Sequence, residues 1–131
     1  MKTLFLSLML ISIPSMAEAH EISLDIQYSR YGEEICHERL TVTTGEGYTL
    51  CEKSFRGKTN MLSISTRVEE ETQVKVTILR QELEPSGSVK VLGVSSIMIN
   101  DGKRAELTQA SEEDGKYVES ENIAVIPNIE R

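Results

Sequence analysis

From Glu21 onward, apolar residues return at every second position: Ile22, Leu24, Ile26 and Tyr28; Leu40 and Val42; Tyr48 and Leu50; Leu62, Ile64 and Val68; Val74, Val76 and Ile78. This is the period of a pleated strand with one face inside and one in water, and the β-branched residues that dominate the set pack well on such a surface. No window carries the apolar spacing of a helical stripe. Turn chemistry punctuates the runs at Tyr31-Gly32, Gly45-Glu46-Gly47, Arg56-Gly57, Pro85-Ser86-Gly87, Asn100-Asp101-Gly102 and Asp114-Gly115. Asp-Gly pairs in particular signal hairpins. The pattern predicts strands near 21–29, 38–44, 47–55, 60–68, 73–82, 88–99, 103–109 and 116–126. Short turns throughout then imply an all-β chain: an antiparallel β-sandwich, immunoglobulin-like or related, of roughly seven to eight strands. Around Gly93 the alternation breaks, which predicts a bulge or bend that would let one strand serve two neighbours. The tail 127–131 reads as a frayed end.

Ahead of the strands, Met1-Lys2-Thr3, an apolar run from Leu4 to Pro14 and the small-residue site Ala17-Glu18-Ala19 make the three-part layout of a secretory signal. Residues 1–19 are expected to be removed, leaving 20–131 as a single exported domain. The apolar run is about half the roughly 20 residues that span a hydrocarbon core, so no membrane span is expected. Lys plus Arg number 14 against 21 acidic residues, a formal charge of −7. That balance argues against nucleic acid, whose phosphates need a basic face, and against an anionic membrane surface. The acidic runs Glu69, Glu70, Glu71 and Glu112, Glu113, Asp114 stand beside turn signals, where solvated carboxylates are ordinary; a basic protein partner is the functional alternative.

Cys36 and Cys51 are the two cysteines. An even pair in a small domain bound for an oxidising compartment predicts one disulfide. If Gly45-Glu46 were a two-residue hairpin turn, Cys36 would face Phe55 instead of Cys51. The bridge is therefore expected to tie the loop before that hairpin to its second strand.

Cleavage after Ala19 would leave His20 as the first residue, its free amino group and imidazole able to grip one metal ion, with His37 as the second histidine. Nitrogen ligands of this kind suit copper. The arrangement resembles the histidine brace of lytic polysaccharide monooxygenases and of small periplasmic copper carriers, which are also β-sandwiches, and it implies copper held by His20 and His37. Composition pulls the other way for the monooxygenases: sugar-binding faces rely on aromatic rings, and this chain has no Trp, four Tyr and two Phe. A disordered His20 and a loop residue His37, with no cofactor, is the preferred expectation.

Other catalytic patterns are missing. There is no Gly-x-Ser-x-Gly, no His-Glu-x-x-His, and no phosphate-cradling Gly-rich loop followed by a helix and lysine. The strand, Asn-Asp-Gly turn, strand pattern of residues 94–107 loosely resembles a hairpin of secretin-type outer-membrane subunits. The expectation is a periplasmic or secreted non-catalytic module that binds a protein partner: an accessory subunit, an inhibitor or an immunity-type protein.

Overall fold

The computed structural model describes residues 19–131; the expected leader therefore lies outside the described residues, apart from Ala19. Eight strands follow in order: β1 (Glu21–Arg30), β2 (Glu33–Thr43), β3 (Gly47–Phe55), β4 (Lys58–Glu69), β5 (Gln73–Leu83), β6 (Val89–Asn100), β7 (Ala105–Glu113) and β8 (Lys116–Ile129). They form two packed four-stranded sheets, β2-β1-β8-β7 and β3-β4-β5-β6, with every pairing antiparallel. Each strand pairs with the next except at two connections, residues 44–46 and 101–104, where the chain crosses from one sheet to the other. The connectivity is thus up-and-down, a flattened barrel split along two seams, and not the Greek key of immunoglobulin domains.

The alternation read from the sequence faces inward as expected. Ile22, Leu24, Ile26 and Tyr28 of β1 pack against Leu62, Ile64, Val74, Val76 and Ile78 of the second sheet, with Val42, Ile99, Ile123 and Val125 completing the core. Burying each such side chain contributes about 1.5–3 kcal/mol.

Cys36 and Cys51 are joined, with Cα atoms 5.6 Å apart. The route of the bridge differs from expectation. Cys36 lies within β2 and pairs with Tyr28, while β3 belongs to the opposite sheet, so the disulfide staples the two sheets along the β2/β3 seam. The β2 to β3 connection only resembles a hairpin in sequence. Reach is supplied by a bulge: the β3/β4 register shifts between Leu50 and Lys53, and Cys51 takes a left-handed φ of 58°. Leu50 and Cys51 consequently both point inward although they are neighbours in sequence.

Three further expectations are corrected. The tail is not frayed up to Ile129: Pro127, Asn128 and Ile129 continue β8 against Leu24, Ser23 and Ile22, and Ile129 is buried. His37 sits inside β2, opposite Gln27, and not in a loop. The break at Gly93 is real, since the β5/β6 register shifts between Arg80 and Gln81, but among the described residues β6 pairs with β5 alone and ends its sheet instead of serving two neighbours.

Candidate functional site

At one end of the sandwich the inward alternation turns from apolar to charged. In β1 the series Ile22, Leu24, Ile26, Tyr28 continues into Arg30; in β5 Val74, Val76, Ile78 continue into Arg80 and Glu82; Asn60 precedes Leu62 in β4, and Glu121 precedes Ile123 in β8. All five polar residues, Arg30, Asn60, Arg80, Glu82 and Glu121, are buried. They pair across the sheets. Arg30 Nη1 donates to Glu82 Oε2 and to Asn60 Oδ1, each at 2.8 Å, and Arg80 Nη1 meets Glu121 Oε1 at 2.9 Å. Burial, reinforced by the Glu121 charge, pushes the Tyr28 phenol far above its usual range. Its hydroxyl keeps the proton and donates to Glu121 Oε2 at 3.1 Å. Desolvation works against the Arg30 charge, but the Glu82 hydrogen bond and nearby charges outweigh it and raise the pKa. Buried pairs of this kind add little net stability over apolar packing, yet removing one member costs about 3–5 kcal/mol.

Beside this layer two tight hairpins come together. Tyr31-Gly32 joins β1 to β2 and Arg56-Gly57 joins β3 to β4, and both turns use left-handed backbone: φ is 50° and 78° in the first, 51° and 78° in the second. This is the twist that two-residue hairpins favour, but Asn or Asp is its usual first residue, and a bulky side chain there costs on the order of 1–2 kcal/mol. The two strained residues make a common structure. Tyr31 and Phe55 rings stack with centroids 6.4 Å apart, and the Arg56 guanidinium lies 4.4 Å from the Tyr31 centroid and 5.1 Å from that of Phe55. Arg30 approaches the same two rings at 5.9 and 5.5 Å. A cleft of about 350 Å³ opens here, flanked by Lys58 and Lys90 as well.

The two seams of the barrel are unlike. One carries the disulfide; the other leaves β6 and β7 as edges unpaired among the described residues, with a cleft of about 140 Å³ between them floored by Arg80 and Glu121. On the outer face of β6, Val89, Val91, Val94 and Met98 are 53, 56, 63 and 47% exposed. Leu79 and Leu83 of β5 stand opposite Val94 and Val89 and extend the apolar stripe. Past the end of β1, the β7–β8 hairpin projects alone, since Arg30 already pairs with Glu121.

The residues singled out in the sequence are scattered over this frame. His20 lies beside Thr44, its backbone N–H donating to Thr44 Oγ1 at 3.0 Å, whereas His37 is seven residues back along β2. At about 3.3 Å per residue that separates them by some 23 Å, so the two-histidine copper brace is not assembled. His37 Nε2 instead meets Asp25 Oδ1 at 2.7 Å, and Arg39 Nε donates to Asp25 Oδ2 at 2.9 Å. Cys36, Glu38 and Cys51 bring potential ligand atoms within 4.8 Å, but both sulfurs are spent in the disulfide. Glu69 ends β4 and accepts from Arg67, while Glu70 and Glu71 lie in the β4–β5 turn with left-handed backbone. Glu112, Glu113 and Asp114 tip the projecting β7–β8 hairpin at the opposite end, so the two acidic runs make no common surface.

The charged layer and the basic cleft escaped the sequence reading. Arg30, Arg80 and Glu82 keep the alternation of their strands, a signal that would have placed them inside had inward positions been allowed to carry charge. No helix among the described residues is long and apolar enough to cross a membrane. Comparison with family models, curated proteins and solved structures gave no match.

Proposed function

We propose that the protein is an exported, non-catalytic binding module that takes an extended segment of a partner protein along the edge of β6. The observation that carries this reading is the asymmetry of the seams: a covalent staple at β2/β3, and at β6/β7 a twelve-residue edge strand with an exposed apolar outer face. Unpaired edges are usually blunted by charge, proline or brevity. On its outer face β6 carries valines and a methionine instead. A strand added there would gain main-chain hydrogen bonds from the edge and specificity from alternate apolar side chains. The formal charge of −7 and the acidic tip at Glu112, Glu113 and Asp114 favour a partner segment flanked by basic residues. Such a module suits the periplasm or cell surface, as an accessory subunit, inhibitor or immunity-type protein.

The test is capture of a partner by immobilised protein from periplasmic extract, comparing wild type with Val91→Lys/Val94→Lys and with Glu69, Glu70 and Glu71 all changed to Lys. Both sets of side chains are solvent-facing, so the folds should survive. Loss of capture in the β6 variant supports the reading. Equal capture by the β6 variant, or no partner at all, refutes it; loss in the Glu69–Glu71 variant alone would move the interface to the β4–β5 turn.

A further inference from the structure

The basic cleft at the hairpin end is out of character for this chain. Four cationic side chains, Arg30, Arg56, Lys58 and Lys90, line it on a protein whose formal charge is −7. The carboxylates that answer them are Glu82, paired with Arg30 and 3.9 Å from Lys58, and Glu84, 3.3 Å from Lys58. Among the described residues neither Arg56 nor Lys90 lies within salt-bridge distance of a carboxylate. Four positive groups against two negative leave a surplus of about two charges facing one cavity. Self-repulsion of this kind persists where something else supplies the negative charge.

Two independent observations point the same way. Arg30 is nine-tenths buried and lines the cleft, and while its Nη1 is doubly satisfied, its Nε has no hydrogen-bond partner among the described residues. A buried donor left unpaired is costly, so the protein itself only partly compensates the cation beneath the cleft. Tyr31 and Arg56, two of the six non-glycine residues held in left-handed backbone among those described, both lend their side chains to the rim. Backbone strain concentrates where a surface has work other than folding.

We propose that this cleft is a binding site for a dianionic oxyanion, namely a phosphate monoester or inorganic phosphate. The charge count selects the class: a phosphomonoester carries about −1.5 to −2 at pH 7, matching the surplus, whereas a carboxylate would neutralise half of it. Arg56 and Lys90, free of carboxylates, are the ligand's primary contacts. Arg30 and Lys58 set the field and are held in place by Glu82. The Tyr31 and Phe55 rings keep the Arg56 guanidinium at the rim. The site is separate from the outer face of β6 and stands or falls independently of the partner-binding reading.

The experiment is an amide-resolved NMR titration of the purified protein with inorganic phosphate, with a sugar phosphomonoester, and with phosphatidylcholine vesicles containing or lacking phosphatidic acid. Sodium acetate and sodium chloride at matched ionic strength are the controls. Saturable shifts at residues 30–32, 56–58 and 90 with phosphate, and not with acetate or chloride, are expected. Response to the soluble phosphates assigns a soluble ligand; response confined to phosphatidic acid vesicles assigns a lipid headgroup, and either supports the site. Affinity should fall by at least roughly tenfold in Arg56→Asn/Lys90→Gln, which removes two charge-assisted contacts. It should also weaken as pH drops through about 6, where the ligand loses its second charge. Because Asn suits left-handed backbone, the variant should melt within a few degrees of wild type, so a binding loss is not a folding loss. Shifts equal to those with chloride or acetate, or unchanged affinity in the variant, would overturn the proposal.

Discussion

Gly93→Ala should be one of the most damaging small substitutions available in this chain, although it adds one methyl group to a strand. An ideal Cβ at position 93 would stand 3.1 Å from Arg80 Cζ and closer still to Nη2. The Gly93 backbone is not left-handed, so alanine suits it, and strand propensity alone predicts a gain of about 0.5–1 kcal/mol. Sterics reverse the sign. Arg80 must withdraw, giving up Glu121 Oε1 at 2.9 Å and its hydrogen bond to Gln109, and Glu121 then keeps the Tyr28 hydroxyl at 3.1 Å. Breaking a buried pair costs about 3–5 kcal/mol. The open β6/β7 seam lets the displaced guanidinium reach water, so we expect a net loss of about 2–4 kcal/mol. With a urea m-value of about 1–3 kcal/mol/M, the unfolding midpoint should drop by roughly 1–2 M. The decisive comparison is the same substitution in an Arg80→Leu/Glu121→Leu background, where no guanidinium occupies the space. There Gly93→Ala should be neutral or stabilising. An equal cost in both backgrounds would show that Gly93 serves the bulge itself and not the arginine.

Two further outcomes follow from other parts of the molecule. Replacing Cys36 and Cys51 together with Ser should cost about 3 kcal/mol for a sequence separation of 15, read by urea denaturation, and should leave the β1/β2 and β3/β4 pairings in place by amide exchange; no change in midpoint would mean the seam holds without its staple. Asp25 has its carboxyl held below the ordinary value of 3.8: desolvation is the largest single influence and raises it, but the hydrogen bonds and charges of His37 and Arg39 together more than reverse that. A lowered folded pKa gives stability that is present above the unfolded value and lost as pH falls through the folded one. Asp25→Asn should therefore be less stable than wild type near neutrality, by under about 1 kcal/mol for so exposed a group, with the gap closing below pH 4; a gap that widens in acid would contradict the assignment.

Local order was readable in advance because it is written in local terms. The inward series Ile22 to Tyr28 and Val74 to Ile78 announce their strands by period alone, and most strand bounds shift by a few residues at most. Pairing is a different matter. Nothing near Gly45 distinguishes a hairpin from a crossing between sheets; the outcome depends on β4 offering β3 a better partner than β2 does, a contest settled by residues far along the chain. Cys36 fell on the wrong side of a strand boundary because Glu33 and Glu34 look like loop. They are the exposed start of β2, tolerated at a sheet edge. The tail was misjudged for want of knowing that Ile22 lacked a neighbour on its other side. Most instructive are Arg80 and Glu82, where charge inside and charge outside read alike until the partner is known.

The place of β8 has a consequence for the order of events in the life of the chain. The last of the described strands is an interior strand of its sheet, inserted between β1, the first described strand, and β7. Until its fourteen residues are available, β1 and β2 are an isolated hairpin, and Arg80 has no Glu121 to meet. An isolated hairpin is at best marginal in water, and contacts closed across nearly the whole chain form slowly. A chain in which β8 is not yet free to pair is therefore held open by its own topology, and commitment to the native state waits for that strand to close the sheet.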